Sequence, residues 1–215
     1  MLQTTNPLTL LALLAFTAAP TLAAPSPPSS TTSFLPIHTD PPLPSIEGVT
    51  LSSLRHSGPG CPPGSVKAGL VPPHNWDVTL LYDTSNFTVS TDALTTSTCT
   101  STFRLDYPAG WRFAVTTSAY EVAVDSGFDV RVKASATYGV EGVDASANNE
   151  GVISGSASGV HIVPDWKFVS MLVLSPCGAT SGEVTVDAKL EIEGTAVGEA
   201  TLQGQELGIS WVPCP

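Results

Sequence analysis

Charge is scarce in this chain, and positive charge is scarcest. Eight Lys and Arg stand against 19 Asp and Glu in 215 residues, giving a net charge of −11 and a pI near 4.5. Phosphate binding needs a basic footprint, so this balance excludes nucleic acid as a partner. Anionic membrane surfaces are excluded for the same reason. Helical periodicity is weak throughout, which argues against a helical fold. No C-x-x-C pair occurs, so zinc-ribbon and thioredoxin-type chemistry have no ligands. There is no H-E-x-x-H. The stretches GVISG and GSASG at 151–159 place Ser one position away from G-x-S-x-G, so a nucleophile elbow is missing too. The four histidines, His38, His56, His74 and His161, stand apart from one another, and none falls at the expected mature N-terminus to form a copper brace.

The first 23 residues also lack Lys, Arg, Asp and Glu. They hold the apolar run LTLLALLAF at 8–16, followed by small residues up to Ala24. This is the layout of a signal peptide, with cleavage expected after Ala23. The run is too short for a membrane span. No hydrophobic tail of the GPI type follows the closing WVPCP. Residues 24–59 are rich in Pro, Ser and Thr and read as a disordered or extended arm. Residues 60–215 read as one domain, large enough for a core.

What the domain does have is period-2 alternation. Phe128, Val130, Val132, Ala134, Ala136 and Tyr138 form one face, opposed by Asp129, Arg131, Lys133, Ser135 and Thr137. Val184, Val186, Ala188, Leu190 and Ile192 alternate with Thr185, Asp187, Lys189, Glu191 and Glu193. Each pattern predicts a strand with one buried and one wet face. Shorter candidates lie at 76–82, 86–90, 101–107, 111–124, 151–163, 167–174 and 206–212. Turn signals sit at YPAG (107–110), DSG (125–127), ANNEG (147–151) and VPD (163–165). Nine or ten strands without helices imply an all-β fold. The expected form is an antiparallel β-sandwich, jelly-roll-like, of unspecified strand order.

Four cysteines, Cys61, Cys99, Cys177 and Cys214, are even in number and widely spaced behind the leader. They read as two disulfides rather than metal ligands.

The run of landmarks GCPPGSV, Cys99, FRLDYPAGWRFAV, SPCG and ISWVPC resembles a family of small secreted fungal proteins, domain-of-unknown-function family 4360. The resemblance covers roughly residues 60–215. Leu174 stands before SPCG where that family often has tryptophan. The resemblance implies a secreted β domain and no activity.

Three cysteine pairings are open. Cys61–Cys99 with Cys177–Cys214 is favoured, because each ties a flanking segment to a nearby part of the sheet. Asp187, Glu191 and Glu193 share one strand face with Lys189 and read as a solvated surface rather than a glycosidase pair. Asp125, Asp129, Asn148, Asn149 and Glu150 read as turn residues, since no D-x-[DN]-x-[DN]-G loop exists. Trp111 and Trp211 alternate with core positions Phe113 and Ile209 and should be buried. Trp166, in VPDWK, and Trp76, after PPHN, are the candidates for an exposed ligand-binding platform. Asn86 opens the sequon Asn86-Phe87-Thr88, a glycosylation acceptor. No cofactor or metal is expected, and no catalytic constellation is found.

The expected function is a secreted, extracellular, non-enzymatic β-sandwich protein, associated with a cell wall or acting as an effector-like factor. Its partner would be a cell-wall glycan or an extracellular protein. A carbohydrate-binding module using exposed aromatics is the alternative, and a glycan-active hydrolase the third reading.

Overall fold

The structure, a computed structural model, describes residues 48–71, 77–165 and 173–215. Eleven strands follow one another: β1 (Thr50–Ser57), β2 (Val66–Leu70), β3 (Val78–Tyr82), β4 (Thr88–Ser90), β5 (Thr96–Asp106), β6 (Trp111–Ser126), β7 (Arg131–Val140), β8 (Ser146–Ser154), β9 (Ala157–Asp165), β10 (Ser181–Glu193) and β11 (Gly198–Pro213). Sheet A has the order β1-β5-β10-β7-β8. Sheet B has the order β2-β3-β11-β6-β9, with β4 also paired to β11. All these pairings are antiparallel, so the expected β-sandwich is the fold. Among the described residues no helix is long and apolar enough to cross a membrane.

Alternation builds the core. Val184, Val186, Ala188, Leu190 and Ile192 on β10 stand opposite Val140, Tyr138, Ala136, Ala134 and Val132 on β7. All ten are buried. Their neighbours on the same strands point to water and carry the charges. From β5 onward, successive strands mostly change sheet, so hydrogen-bonded neighbours lie far apart in sequence. That is why local patterning marks the strands and not their order.

Four expectations need correction. The ordered domain begins before residue 60: residues 50–57, assigned to the arm, form β1 on the edge of sheet A. Leu51 and Leu54 pack against the core there, across an irregularity at Ser52–Arg55 that leaves Ser53 at φ 51°. His56 is therefore a strand residue, and its Nε2 accepts a hydrogen bond from the Gly64 amide. Second, Phe128 is 81% exposed. Asp125 and Ser126 still belong to β6, so the turn runs from Gly127 to Val130, whose amide bonds to the Gly127 carbonyl, and the inward alternation starts only there. Third, ANNEG is no turn. Residues 146–154 form β8, with Asn149 opposite Ala136 on β7. The turn lies just before it, where Gly142 takes φ 77°. A buried asparagine and a glycine in the inward positions disguise this strand. Gly151 is required there, because a Cβ would run into the Val163 side chain of the facing sheet. Fourth, 151–163 is two strands, split at Gly155 (φ 85°), and VPD continues β9 to Asp165.

The core also contains a string of polar side chains. Tyr82 Oη donates to Gln205 Oε1 at 3.1 Å, and Gln205 Nε2 donates to Tyr138 Oη at 2.7 Å and to Ser118 Oγ at 3.3 Å. Tyr120 Oη donates to the Asn149 carbonyl at 3.1 Å. These bonds join β3, β11, β6, β7 and β8, and so link both sheets.

Disulfides Cys61–Cys99 and Cys177–Cys214 form, with Cα separations of 5.4 and 5.7 Å. Trp211 is buried beside Tyr107 and Phe113, with ring centroids 5.3 and 5.8 Å away, and Trp111 is half-buried against the same core.

Candidate functional site

The two outer faces differ in charge. Sheet A carries the ion pairs: Arg55–Glu183, Arg104–Asp106, Arg131–Glu193, and Glu191 held by both Lys133 and Lys189. Every ion pair between described residues lies there. Thr100 donates to Asp187 at 2.6 Å on the same face. Asp187, Glu191 and Glu193 thus belong to a compensated, solvated surface. The hydrogen bonds from Lys133 and then Lys189 hold the Glu191 carboxyl below the usual glutamate value.

Among the described residues, sheet B has no such compensation. Its outer face can be read as rows running across the strands. One row is Gly69, Thr79, Glu206, Ala119 and Pro164. The next is Lys67, Leu81, Gly204, Glu121 and Ile162. Two further rows are Thr88, Thr201, Ala123, Val160 and then Ser90, Glu199, Asp125, Ser158. Between its carboxylates, the middle carries the small residues Thr117, Ala119, Ala123, Thr201 and Gly204. Leu81 (50% exposed), Val160 (56%) and Ile162 (73%) stand up on the flanks. The result is a shallow trough along β6 and β11. Its hollows measure about 370 Å³ around Thr117, Ala119 and Glu206, 290 Å³ around Ala123, Val160 and Thr201, and 430 Å³ around Asp125 and Glu199. From Thr117 to Asp125 it extends about 26 Å, at about 3.3 Å per strand residue.

Carboxylates line the trough in pairs. Glu199 lies directly opposite Asp125. Glu206 and Glu121 are diagonal neighbours, each across from a residue without a long side chain. All four are exposed. Among the described residues none of the four has a basic partner. Like charges facing one another across a ladder oppose folding.

The family model described as "Domain of unknown function (DUF4360)" matches residues 47–214. The chain belongs to this family. No curated protein matches it. Among solved structures, it is similar to "TmCBM61 in complex with beta-1,4-galactotriose" at 12% identity and a TM-score of 0.27, covering 76% of this chain and 90% of that one. It is also similar to "Bacteriophage CBA120 tailspike protein 4 enzymatically active domain" at 16% identity and a TM-score of 0.23, covering 79% of this chain and 20% of that one. Likenesses at these scores say nothing of function.

The other candidate residues of this DUF4360 domain fall in different places. Trp76 and Trp166 lie outside the described residues, as do His38 and His74. Asn86 is half-buried in the turn before β4, where its amide bonds to the Asp83 carbonyl. Asp129 caps the turn between β10 and β11. It accepts bonds from the Thr195 hydroxyl and from the amides of Thr195 and Ala196, which hold its carboxyl below the usual value. Asn148 accepts from Thr137 at 2.6 Å on the face of sheet A. His161 is half-buried on β9. Among the described residues no group of His, Cys, Asp and Glu is arranged to hold a metal. Of the trough carboxylates the sequence marks only Asp125, as a turn residue; it is a strand residue of β6, and Glu121, Glu199 and Glu206 join it only through the pairing of β6 with β11.

Proposed function

We propose that this domain acts outside the cell as a non-catalytic, wall-associated protein that binds an extended glycan along the outer face of sheet B. The trough carries the reading. Exposed carboxylates accept hydrogen bonds from sugar hydroxyls, and the aliphatic flanks of Leu81, Val160 and Ile162 cover the apolar faces of sugar rings. Trp76 directly precedes Asp77 at one end of the trough, and Trp166 directly follows Asp165, the last residue of β9. Both tryptophans are assigned to stacking on the ligand. A non-catalytic role fits the exposure of the trough carboxylates, since a proton-donating glycosidase carboxyl needs an apolar enclosure. Secretion rests on the leader, with the disulfides in accord. The leader is removed after Ala23, and Asn86 carries the glycan of a secreted protein.

Pull-down of the mature protein on chitin, β-glucan and cellulose tests the binding. Retention on at least one is expected, with loss in Trp166→Ala and Trp76→Ala. No retention on any glycan, amino-sugar polymers included, ends the reading. N-terminal sequencing of protein recovered from the medium should begin at Ala24.

A further inference from the structure

We infer that the glycan is cationic: a polymer of hexosamine with free amino groups. This deepens the reading above and rests on it. The domain has a segregated charge pattern. Five of its eight basic residues, Arg55, Arg104, Arg131, Lys133 and Lys189, are on the strands of sheet A and engaged there by carboxylates. Sheet B's strands carry Lys67 and Arg112, and the eighth basic residue, Lys167, lies outside the described residues. Lys67 sits on β2, separated from β6 by β3 and β11. Arg112 sits opposite Val212, beyond the end of the trough.

Among the described residues, the trough therefore presents two stations of negative charge with no basic side chain paired to them: Glu121 with Glu206, and Asp125 with Glu199. Along β6 the stations are four residues apart, about 13 Å. A neutral chain would leave these like-charged pairs uncompensated. A chain of protonated amines neutralises each pair and retains the hydroxyls and ring faces that the rest of the trough accommodates. The floor argues for a sugar chain over a basic peptide. β6 and β11 are hydrogen-bonded on both sides, so they have no free backbone edge to pair with a peptide. Gly204 leaves an open floor between the Glu121 carboxylate and Leu81, and a Cβ there would lie 3.4 Å from Glu121 Oε2.

The test is retention of the mature protein on chitosan, chitin and β-1,3-glucan, with competition by oligolysine, at about pH 5.5, where carboxylates are ionised and amines protonated. Retention on chitosan should exceed that on chitin and weaken as salt shortens the screening length. The double variant Glu121→Gln/Glu206→Gln should bind chitosan about tenfold more weakly, from two lost exposed charge contacts. Its thermal midpoint should be no lower than that of the parent, which separates lost binding from lost folding. Equal retention on chitin and chitosan, equal binding by the double variant, or oligolysine competing as well as glucosamine oligomers overturns the inference. Retention on β-glucan but not chitosan overturns it while leaving the glycan reading standing; no retention on any glycan removes both.

Discussion

Gln205 donates its side-chain amide to the Tyr138 hydroxyl at 2.7 Å, across the interior between β11 and β7. The same glutamine accepts from Tyr82 and donates to Ser118. It is 1% exposed, so no water replaces these bonds when it is removed. Burial, with Tyr138 nearby, pushes the Tyr82 phenol far up, so it stays a neutral donor. Gln205→Leu leaves the Tyr82 and Ser118 hydroxyls buried without this partner. We expect a loss of about 3 kcal/mol in urea unfolding with the disulfides intact. An unchanged midpoint would mean that the string does not hold the sheets together.

Gly204 should tolerate a side chain structurally but not functionally. A Cβ there meets Glu121, Leu80 and Leu81 at 3.4–3.6 Å, ordinary contact distances. Gly204→Thr is expected to preserve the thermal midpoint, since threonine suits a strand better than glycine. It fills the trough floor, so retention on glycan should fall. A variant that binds as well as the parent would place the ligand elsewhere.

The sheets were legible because their inward residues alternate without interruption. β7 and β10 read directly as Val132–Val140 and Val184–Ile192. β8 did not, since Asn149 and Gly151 occupy its inward positions and imitate a turn. β1 did not, because it follows a proline-rich arm and contains a bulge. The trough was invisible for a different reason. A face is defined by which strands are neighbours, and β6 and β11 are separated by most of the domain. Glu199 and Asp125, 74 positions apart in the chain, become neighbours only through the pairing of those strands.

The two disulfides close loops of nearly equal length, 38 and 37 residues, worth about 4 kcal/mol each in the chain-entropy model. Their surroundings differ. Cys61 and Cys99 are 0% and 1% exposed, whereas Cys177 is exposed and Cys214 half-buried. Thiol exchange needs access to a sulfur. Mild reductant should therefore open Cys177–Cys214 first, as read by alkylation and peptide mapping. Simultaneous loss of both would show that reduction follows global unfolding.

Glu191 gives the pH response of sheet A. Nζ of Lys133 and of Lys189 each lie 2.6 Å from its carboxylate. Its carboxyl is held down, and the Lys133 ammonium is raised chiefly by the same bond. The stabilisation from Glu191 is present above the unfolded carboxylate value, about 4.3, and is lost as pH falls through the lower folded one. That from Lys133 is present below about 10.4 and is lost as pH rises through the higher folded value. The parent should exceed Glu191→Gln in urea midpoint between about pH 5 and 10, and the two should converge on either side. A constant difference across the range would assign the effect to packing.

Glu199 and Asp125 face one another directly across the β11–β6 ladder, both exposed. Opposed like charges destabilise a sheet, so Glu199→Gln should raise stability by about 0.5 kcal/mol at low salt. Because the cause is electrostatic repulsion between exposed groups, the gain should shrink as salt shortens the screening length. A gain unaffected by salt would point to the glutamine side chain itself. The same substitution removes one charge from the ligand surface and should weaken retention on an amine-bearing glycan. A change that stabilises the free domain while weakening its binding marks a charge whose energetic return comes only with the ligand in place.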